Sequence, residues 1–478
     1  MTAKKQEKAA GPLRGHLSAG PARLEYILFA LLAGACFLLF NHPDILETAR
    51  HSYILIRSTL DGNFLGFFED TLQRTYGYPY VNAAHYNILM YLMYAVWILP
   101  LYLAEQLFGF AVGDALLAMW CKVIGTAFYL GSGFLVGLLA EKLGCRPAAC
   151  RWAVLLFWLN PISFFDTLVM GQYDSICLFF TLWAVLLYLD RRYTGFSLLV
   201  GAGILFKFFP LFLFIPLLLL VEKRPLRLLK YGLVSLWLYL PTTLLFWGRT
   251  GDASGFTRLM ADRLFKISFP GTMADASWFG LCMVLVCVAA YLYHPKSDKA
   301  WQDAAVYSGL AVFSLLFLFV LWHPQWLILL PPFLILNMLC RKEQYCYAYL
   351  NIALSIGFFI LTAVVYPGAL EGNLLDFGIL QPLTGLSYAL SGHPVVLASL
   401  YERIPYFVRL GAILFYGALL ASLVFALPVG RRTLSDRLAG EDAVRMNCRL
   451  VCWGSFALGF VCCWLVPALA GWALTVTM

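Results

Sequence analysis

The chain has 478 residues, with 62% hydrophobic and only 13% charged residues and a mean hydropathy of +0.78. Soluble domains carry about 25% charged residues, so the composition excludes a soluble enzyme or binding module and indicates a polytopic integral membrane protein. The net charge of +8 is no nucleic-acid signature and no nucleic-acid partner is expected, because the basic residues lie in short clusters between apolar runs, as the positive-inside rule requires.

Residues 1–23 form a basic, polar tail. The tail is long and no A-x-A-like site follows the first apolar run, so the expectation is a retained first helix over 24–40 with the tail in the cytoplasm rather than a cleaved signal peptide. A mixed segment, 41–84, precedes an ambiguous apolar run at 86–110 that carries Pro100, Glu105 and Gln106. Further apolar runs follow at 115–140, 152–165, 176–189, 195–206, 211–221, 231–246, 279–291, 304–321, 326–339, 347–365, 407–427 and 451–476. They do not alternate as barrel strands would, so helices are the spanning form. The predicted fold is an all-α bundle of about thirteen transmembrane helices, with 86–110 as an interfacial helix in the first outer loop. Some runs are short for a hydrocarbon core of roughly 30 Å, which predicts broken or tilted helices.

Charge decides the ambiguous run. With 86–110 at the interface and the N-terminus inside, the inner segments hold 23 Lys and Arg and the outer ones 8. If the run crosses, the bias nearly inverts, so the interfacial reading is adopted. The chain then divides into the tail 1–23, a helical module 24–247 with an outer loop 41–113, and a C-terminal membrane module 248–478 with outer loops 248–275 and 367–404. The expected location is the plasma membrane, multi-pass. None of the 13 cysteines shows metal-type spacing. Cys282, Cys287, Cys462 and Cys463 read as small buried hydrophobes. No cofactor is expected, and a divalent metal is not indicated.

This topology gathers the polar outliers on the outer face. Asp44 lies just past the first helix, where a carboxylate can take a proton from a hydroxyl or cap an interfacial helix. Glu69 and Asp70 lie in the same loop and read as a second candidate base, a cation site or solvated acids. The stretch 160–175, NPISFFDTLVMGQYDS, holds Asp166 and Asp174, and a charge at a helix centre costs roughly 2.5–3.5 kcal/mol on insertion scales. Gly171 permits a turn there, and Gln172, Tyr173 and Asp174 present hydrogen-bonding groups. Lys207 sits where Pro210 breaks the chain. It snorkels or binds a phosphate as a point charge. His323 and Gln325 lie in LWHPQW, as belt residues or substrate contacts. Arg249, Arg258 and Arg263 make the loop 248–275 cationic, suited to a lipid phosphate or to pairing with Asp252, Asp262 and Asp275.

Laid out in this order, the chain resembles the GT-C superfamily of integral membrane glycosyltransferases, and most of all the bacterial branch related to protein O-mannosyltransferases and GPI-mannosyltransferase-like proteins. The matching points are NHPDI, the aromatic segment YPYVNAAHYNILMYL, NPISFFDTLVMGQYDS followed by a helix and DRR, ILFKFFPLFLFIPLLLL before a basic loop, and LWHPQW. They cover about residues 23–332. In many relatives Glu-Arg-Tyr stands where this chain has Pro-Gln-Trp. The resemblance implies a shared bundle of about seven helices and a polyprenyl-phosphate sugar donor entering from the bilayer lipids. It also implies inverting transfer, with a hexose such as mannose, to a hydroxyl on the outer face. Asp44 would be the base, with Glu69 and Asp70 still in contention. Lys207 and the outer-loop arginines would hold the donor phosphate, and His323 and Gln325 would shape the donor site. Asp166, Gln172, Tyr173 and Asp174 would orient substrate or brace the first loop. The acceptor is left open among glycan, lipid and protein. The competing class is a flippase or solute transporter, which would place charges along a midplane path and often show repeats. No convincing repeat relates the two halves, and the polar groups cluster at one face.

Overall fold

The computed structural model describes residues 19–73, 84–249, 261–269, 276–366, 372–380, 404–429, 432–439 and 445–470. Helices α1 (Arg23–Leu39) and α2 (Pro43–Leu60) meet at a 67° bend. Pro43 suits a first helical turn, where its missing N–H costs nothing. The Nδ1 of His42 accepts from the Asp44 amide at 3.2 Å. On the other side of the bend, the buried Lys122 donates to the carbonyls of Phe37 at 3.0 Å and Phe40 at 2.5 Å. It thereby satisfies oxygens that the end of α1 leaves without helical partners.

A 3₁₀ turn (Phe64–Gly66) leads into α3 (Phe67–Gln73). Then come α4 (Ile88–Phe108), capped by Asn87, and α5 (Asp114–Lys142). Helix α5 is the spine of the first half. It packs against α6 (Pro147–Trp158) and α8 (Asp174–Leu189), and α8 packs against α9 (Tyr193–Ile204). Between α6 and α8 lies α7 (Pro161–Phe164), continued by a π turn over Phe165–Val169 and bent 51° from α6. The bend is written in Asn160-Pro161, where the asparagine side chain caps the amides of Ile162 and Ser163.

Next are α10 (Phe209–Val221), α11 (Pro225–Ser235) and α12 (Tyr239–Leu245), the last two bent by 57°. A two-residue antiparallel pair, β1 (Ser268–Phe269) with β2 (Ala276–Ser277), precedes α13 (Trp278–Leu292) and α14 (Asp298–Phe319). A 3₁₀ turn (Pro324–Leu329) opens α15 (Pro331–Cys340), followed by α16 (Gln344–Val365) and α17 (Pro405–Phe425). A second small pair, β3 (Pro428–Val429) with β4 (Arg432–Thr433), leads to α18 (Leu434–Leu438) and α19 (Cys448–Ser455), which runs on through π turns to Leu465. Helices α16 and α17 make the most extensive pair in the second half.

Among the described residues six helices are long and apolar enough to cross a membrane, or nine if each bent pair is one span. Five shorter apolar helices lie among them as well, and the expected count of about thirteen is not confirmed by these residues. The runs 195–206 and 211–221 became α9 and α10, of 12 and 13 residues, about 18–20 Å each at 1.5 Å per residue. The expected run 231–246 is interrupted by the break between α11 and α12.

Helix α4 is one of the six. Asn87 and Ile88 at its start line the cavity described below, Trp97 stacks on Trp120 of α5 with ring centres 5.4 Å apart, and Asp114 at the start of α5 pairs with Arg50 of α2 at 2.7 Å.

Candidate active site

The bend between α1 and α2 meets the turn that leads from α7 and its π continuation into α8. Gly171, just before α8, has φ +67°, and a Cβ there would lie 2.7 Å from Asn41 Oδ1 and 3.2 Å from Lys122 Cδ. Only glycine tolerates both the left-handed backbone and the close approach. The approach delivers Gln172 to Asp44. The Gln172 Nε2 donates to Asp44 Oδ2 at 3.0 Å and lies 3.3 Å from His42 Nδ1. The His42 Nδ1 is also 3.4 Å from Asp44 Oδ1. Asp44 thus stands in the first turn of α2, where the helix dipole favours an anion, with one oxygen fixed by Gln172. Burial works against its ionisation. The neighbouring His42, the hydrogen bond from Gln172 and the charge of Lys207 outweigh burial and hold the carboxyl well below the ordinary carboxylate range.

Asp44 opens into a cavity of about 850 Å³. Lys207, between α9 and α10, lines the same cavity. Its Nζ donates to the Tyr86 hydroxyl at 3.0 Å, sits 4.9 and 5.4 Å from the ring centres of Tyr86 and Tyr173, and lies 3.8 Å from Asp174 Oδ1. Burial alone would lower the lysine. Asp174 and Tyr86 reverse that and raise it above its ordinary value, so it is a fixed cation. His323 and Gln325 also line the cavity. The His323 ring packs against Trp326 and Tyr366 at centroid distances of 5.3 Å.

Burial, then the charges of Arg263 and Lys207, push His323 down to about 4, against an ordinary value near 6.5. The unfolded chain therefore binds the proton first, and this site loses stability as pH falls from about 6.5 towards 4. Replacing His323 with glutamine is expected to flatten that part of the melting-temperature profile relative to the parent protein. An unaltered difference between pH 7 and pH 5 would mean that the ring titrates normally.

The other expected site residues fall elsewhere. Asp70 is buried away from the cavity, and its Oδ2 accepts from Ser58 at 2.6 Å and Asn63 at 3.1 Å, which fastens the 3₁₀ turn to α2. Glu69 is exposed and does not line the cavity. Asp166 and Asp174 are each 1% exposed, and neither carboxylate has a hydrogen-bond partner among the described residues. Asp174 stands behind Lys207 rather than in the cavity, and Asp166 lies deeper. Arg249 is exposed beside the lining residue Gly248. Arg263 is outside the lining and donates to the Leu321 carbonyl at 3.3 Å. Arg258 lies outside the described residues. Among the described residues no three His, Cys, Asp or Glu side chains are grouped as a metal would need.

The cavity also contains residues that the sequence did not single out. His42 was hidden beside Asp44 in NHPDI. Glu47, Thr48 and His51 share a face of α2 with Asp44, at the i, i+3, i+4, i+7 spacing. That spacing was visible, but nothing local said that this face is hollow. His85, Tyr86 and Asn87 come from the aromatic segment before α4. The remaining walls are apolar, from Phe209 and Phe212 of α10, Tyr239 of α12, and Phe246 and Trp247 beyond it.

The family model described as Glycosyltransferase family 87 matches residues 84–330, just over half of the chain. The matched segment carries Tyr173, Lys207, His323 and Gln325, and it begins beyond Asp44. No curated protein matches the chain.

Proposed function

This chain belongs to glycosyltransferase family 87 and is a membrane glycosyltransferase, and from that premise we propose that it moves a hexose such as mannose, with inversion, from a polyprenyl-phosphate donor to a hydroxyl on the outer face of the cell membrane. The observation that carries the reading is the meeting of Asp44 and Lys207, 163 positions apart in sequence, on one cavity with a polar and an apolar part.

The chemistry follows from charge. The acceptor oxygen attacks C1 of the sugar from the face opposite the phosphate. Its proton passes to Asp44, and the C1–O bond to phosphate breaks with its electron pair on the departing oxygen. The phosphate goes from a diester with one negative charge to a monoester with two. A cation beside it is therefore worth more at the transition state than in the bound ground state, the condition for catalysis by charge. Lys207 is such a cation. The leaving group is already good, so no general acid is required. His323, held neutral, serves as a hydrogen-bonding wall. The aromatic side chains of α10 and of the segment around α12 suit the isoprenoid chain, and a lipid-borne donor accounts for an active site built into a bundle of membrane helices.

The test is turnover. Purified protein in lipid nanodiscs is incubated with polyprenyl-phosphate hexoses and, in parallel, with the corresponding nucleotide sugars. Release of polyprenyl phosphate, with none from the nucleotide sugars, is the expected result. Turnover of nucleotide sugars alone would overturn the donor assignment.

A further inference from the structure

Two thiols meet away from the cavity. Cys145 lies in the turn from α5 to α6, and Cys340 is the last residue of α15. They are 195 positions apart in sequence, yet their sulfurs are 3.8 Å apart, with one thiol donating to the other. Both cysteines are half-buried and free, and neither lines the cavity.

Helix α14 holds both sides of this meeting. Near its start, Lys299 Nζ donates to the Leu143 carbonyl at 3.5 Å and Gln302 Nε2 to the Lys142 carbonyl at 3.3 Å. These two contacts fix the turn that bears Cys145. Asp303 pairs with Lys299 at 3.1 Å and with Arg341 at 3.8 Å. The buried Arg341 also donates to Asn337 Oδ1 at 3.0 Å and lies 3.7 Å from Asp436. The end of α15 is thus fixed from the same helix. A third thiol, Cys150, donates to the Cys145 carbonyl at 3.6 Å.

Packing asks only for a small apolar side chain at each position. Two sulfurs in contact can also give up two electrons and bond, which needs a separation of about 2.05 Å. Among the described residues no third ligand completes a metal site. The charge distribution that orients the chain assigns 141–151 and 341–343 to the inner face. Thiols are kept reduced in the cytoplasm, and a disulfide there is usually transient and redox-sensing.

We propose that Cys145 and Cys340 form a reversible redox-modification site, joined as a disulfide by a hydroperoxide and parted by a thiol reductant. Arg341 beside Cys340, and Lys299 at the facing turn, favour the thiolate, which is the nucleophile. The Cys340 thiolate attacks one oxygen of hydrogen peroxide and the O–O bond breaks. Sulfur keeps that oxygen as a sulfenic acid, and the other leaves as hydroxide and is protonated to water. The Cys145 sulfur then attacks the Cys340 sulfur. The S–S bond forms, and the hydroxyl leaves with the Cys145 proton as a second water. Two electrons pass from the sulfurs to the peroxide. The bond ties the family-matched segment 84–330 to a residue beyond it. Through α15 it reaches the 3₁₀ turn that carries His323 and Gln325 to the cavity.

The experiment treats the full reduced chain in nanodiscs with dilute hydrogen peroxide. Disulfide-linked peptides and remaining thiols are read by mass spectrometry, with the exposed Cys346 and Cys462 as internal reporters of indiscriminate oxidation. The expected result is a Cys145–Cys340 bond that forms before either reporter reacts and is reversed by dithiothreitol. The oxidised protein should melt about 2–8 °C higher, because the bond closes a long loop in the unfolded chain. Cys150→Ser should leave the bond intact. In Cys145→Ser the sulfenic acid has no partner, and dimedone should trap it on Cys340. Failure of the bond to form, its formation with Cys150 instead, or prior oxidation of the reporters would overturn the proposal. Dimedone on the other cysteines but not on Cys340 would overturn the order of attack, and an unchanged melting temperature the role of the bond as a tie.

Discussion

Purified Asp44→Asn protein is expected to lose sugar transfer by about 10²–10⁴-fold, the usual contribution of a positioned general base, while binding the polyprenyl-phosphate donor almost as tightly as before. The substitution is close to isosteric, and its surroundings accept an amide. The new carbonyl oxygen can keep the 3.0 Å bond from Gln172 Nε2, and the new amide can face His42 Nδ1. The first turn of α2 keeps its proline and its histidine cap. What disappears is, among the described residues, the only lining carboxylate within hydrogen-bond reach of Gln172, and with it the destination of the acceptor proton. Transfer is measured as hexose on a hydroxyl acceptor, and binding as protection of the folded protein by donor in a melting experiment. Full activity would remove Asp44 from the chemistry and leave Glu47, one turn further along α2, as the nearest lining carboxylate. Loss of donor binding together with activity would make Asp44 part of the donor site instead.

The path from sequence to this site was uneven, and the reasons are physical. Residues that violate the membrane composition were legible, because a carboxylate or a lysine beside an apolar run needs a reason wherever it sits. Asp44, Lys207 and His323 were noticed on that ground, and they line one cavity. Asp70 was noticed on the same ground but is satisfied locally by Ser58 and Asn63. Two loop acids near a candidate base look alike until their partners are known. The face carrying Glu47, Thr48 and His51 has helical spacing, yet periodicity cannot distinguish a face turned to a cavity from one turned to water.

The helix count is hard to read from the sequence for a related reason. Hydropathy sees apolar runs, not bends. Asn160-Pro161 and the three residues between α11 and α12 break spans without any charge to mark them. Those breaks position the site, since the bend at Asn160 begins the stretch that returns Gln172 to Asp44. The energetic logic is that of broken membrane helices generally: irregular backbone is tolerated at depth where it lines a cavity or is buried in protein.

Lys207 yields the second large effect, and a way to separate its two jobs. As the cation for the donor phosphate it makes a charge-assisted contact worth about 1.5–3 kcal/mol, so Lys207→Met is expected to raise donor KM by about 10–100-fold. Because the phosphate gains a charge as it departs, kcat should fall as well. Lys207 is also the neighbouring cation of Asp174, which is 1% exposed and has no hydrogen-bond partner among the described residues. Removing one partner of a buried ion pair costs about 3–5 kcal/mol, so the single variant should also melt earlier. The double variant Lys207→Met/Asp174→Asn removes the stranded charge. It is expected to recover most of the lost melting temperature and none of the donor affinity. Recovery of both would show that the lysine only balances Asp174 and that the donor phosphate is held elsewhere. A double variant as unstable as the single would instead put the cost in the packing of Lys207 between Tyr86 and Tyr173.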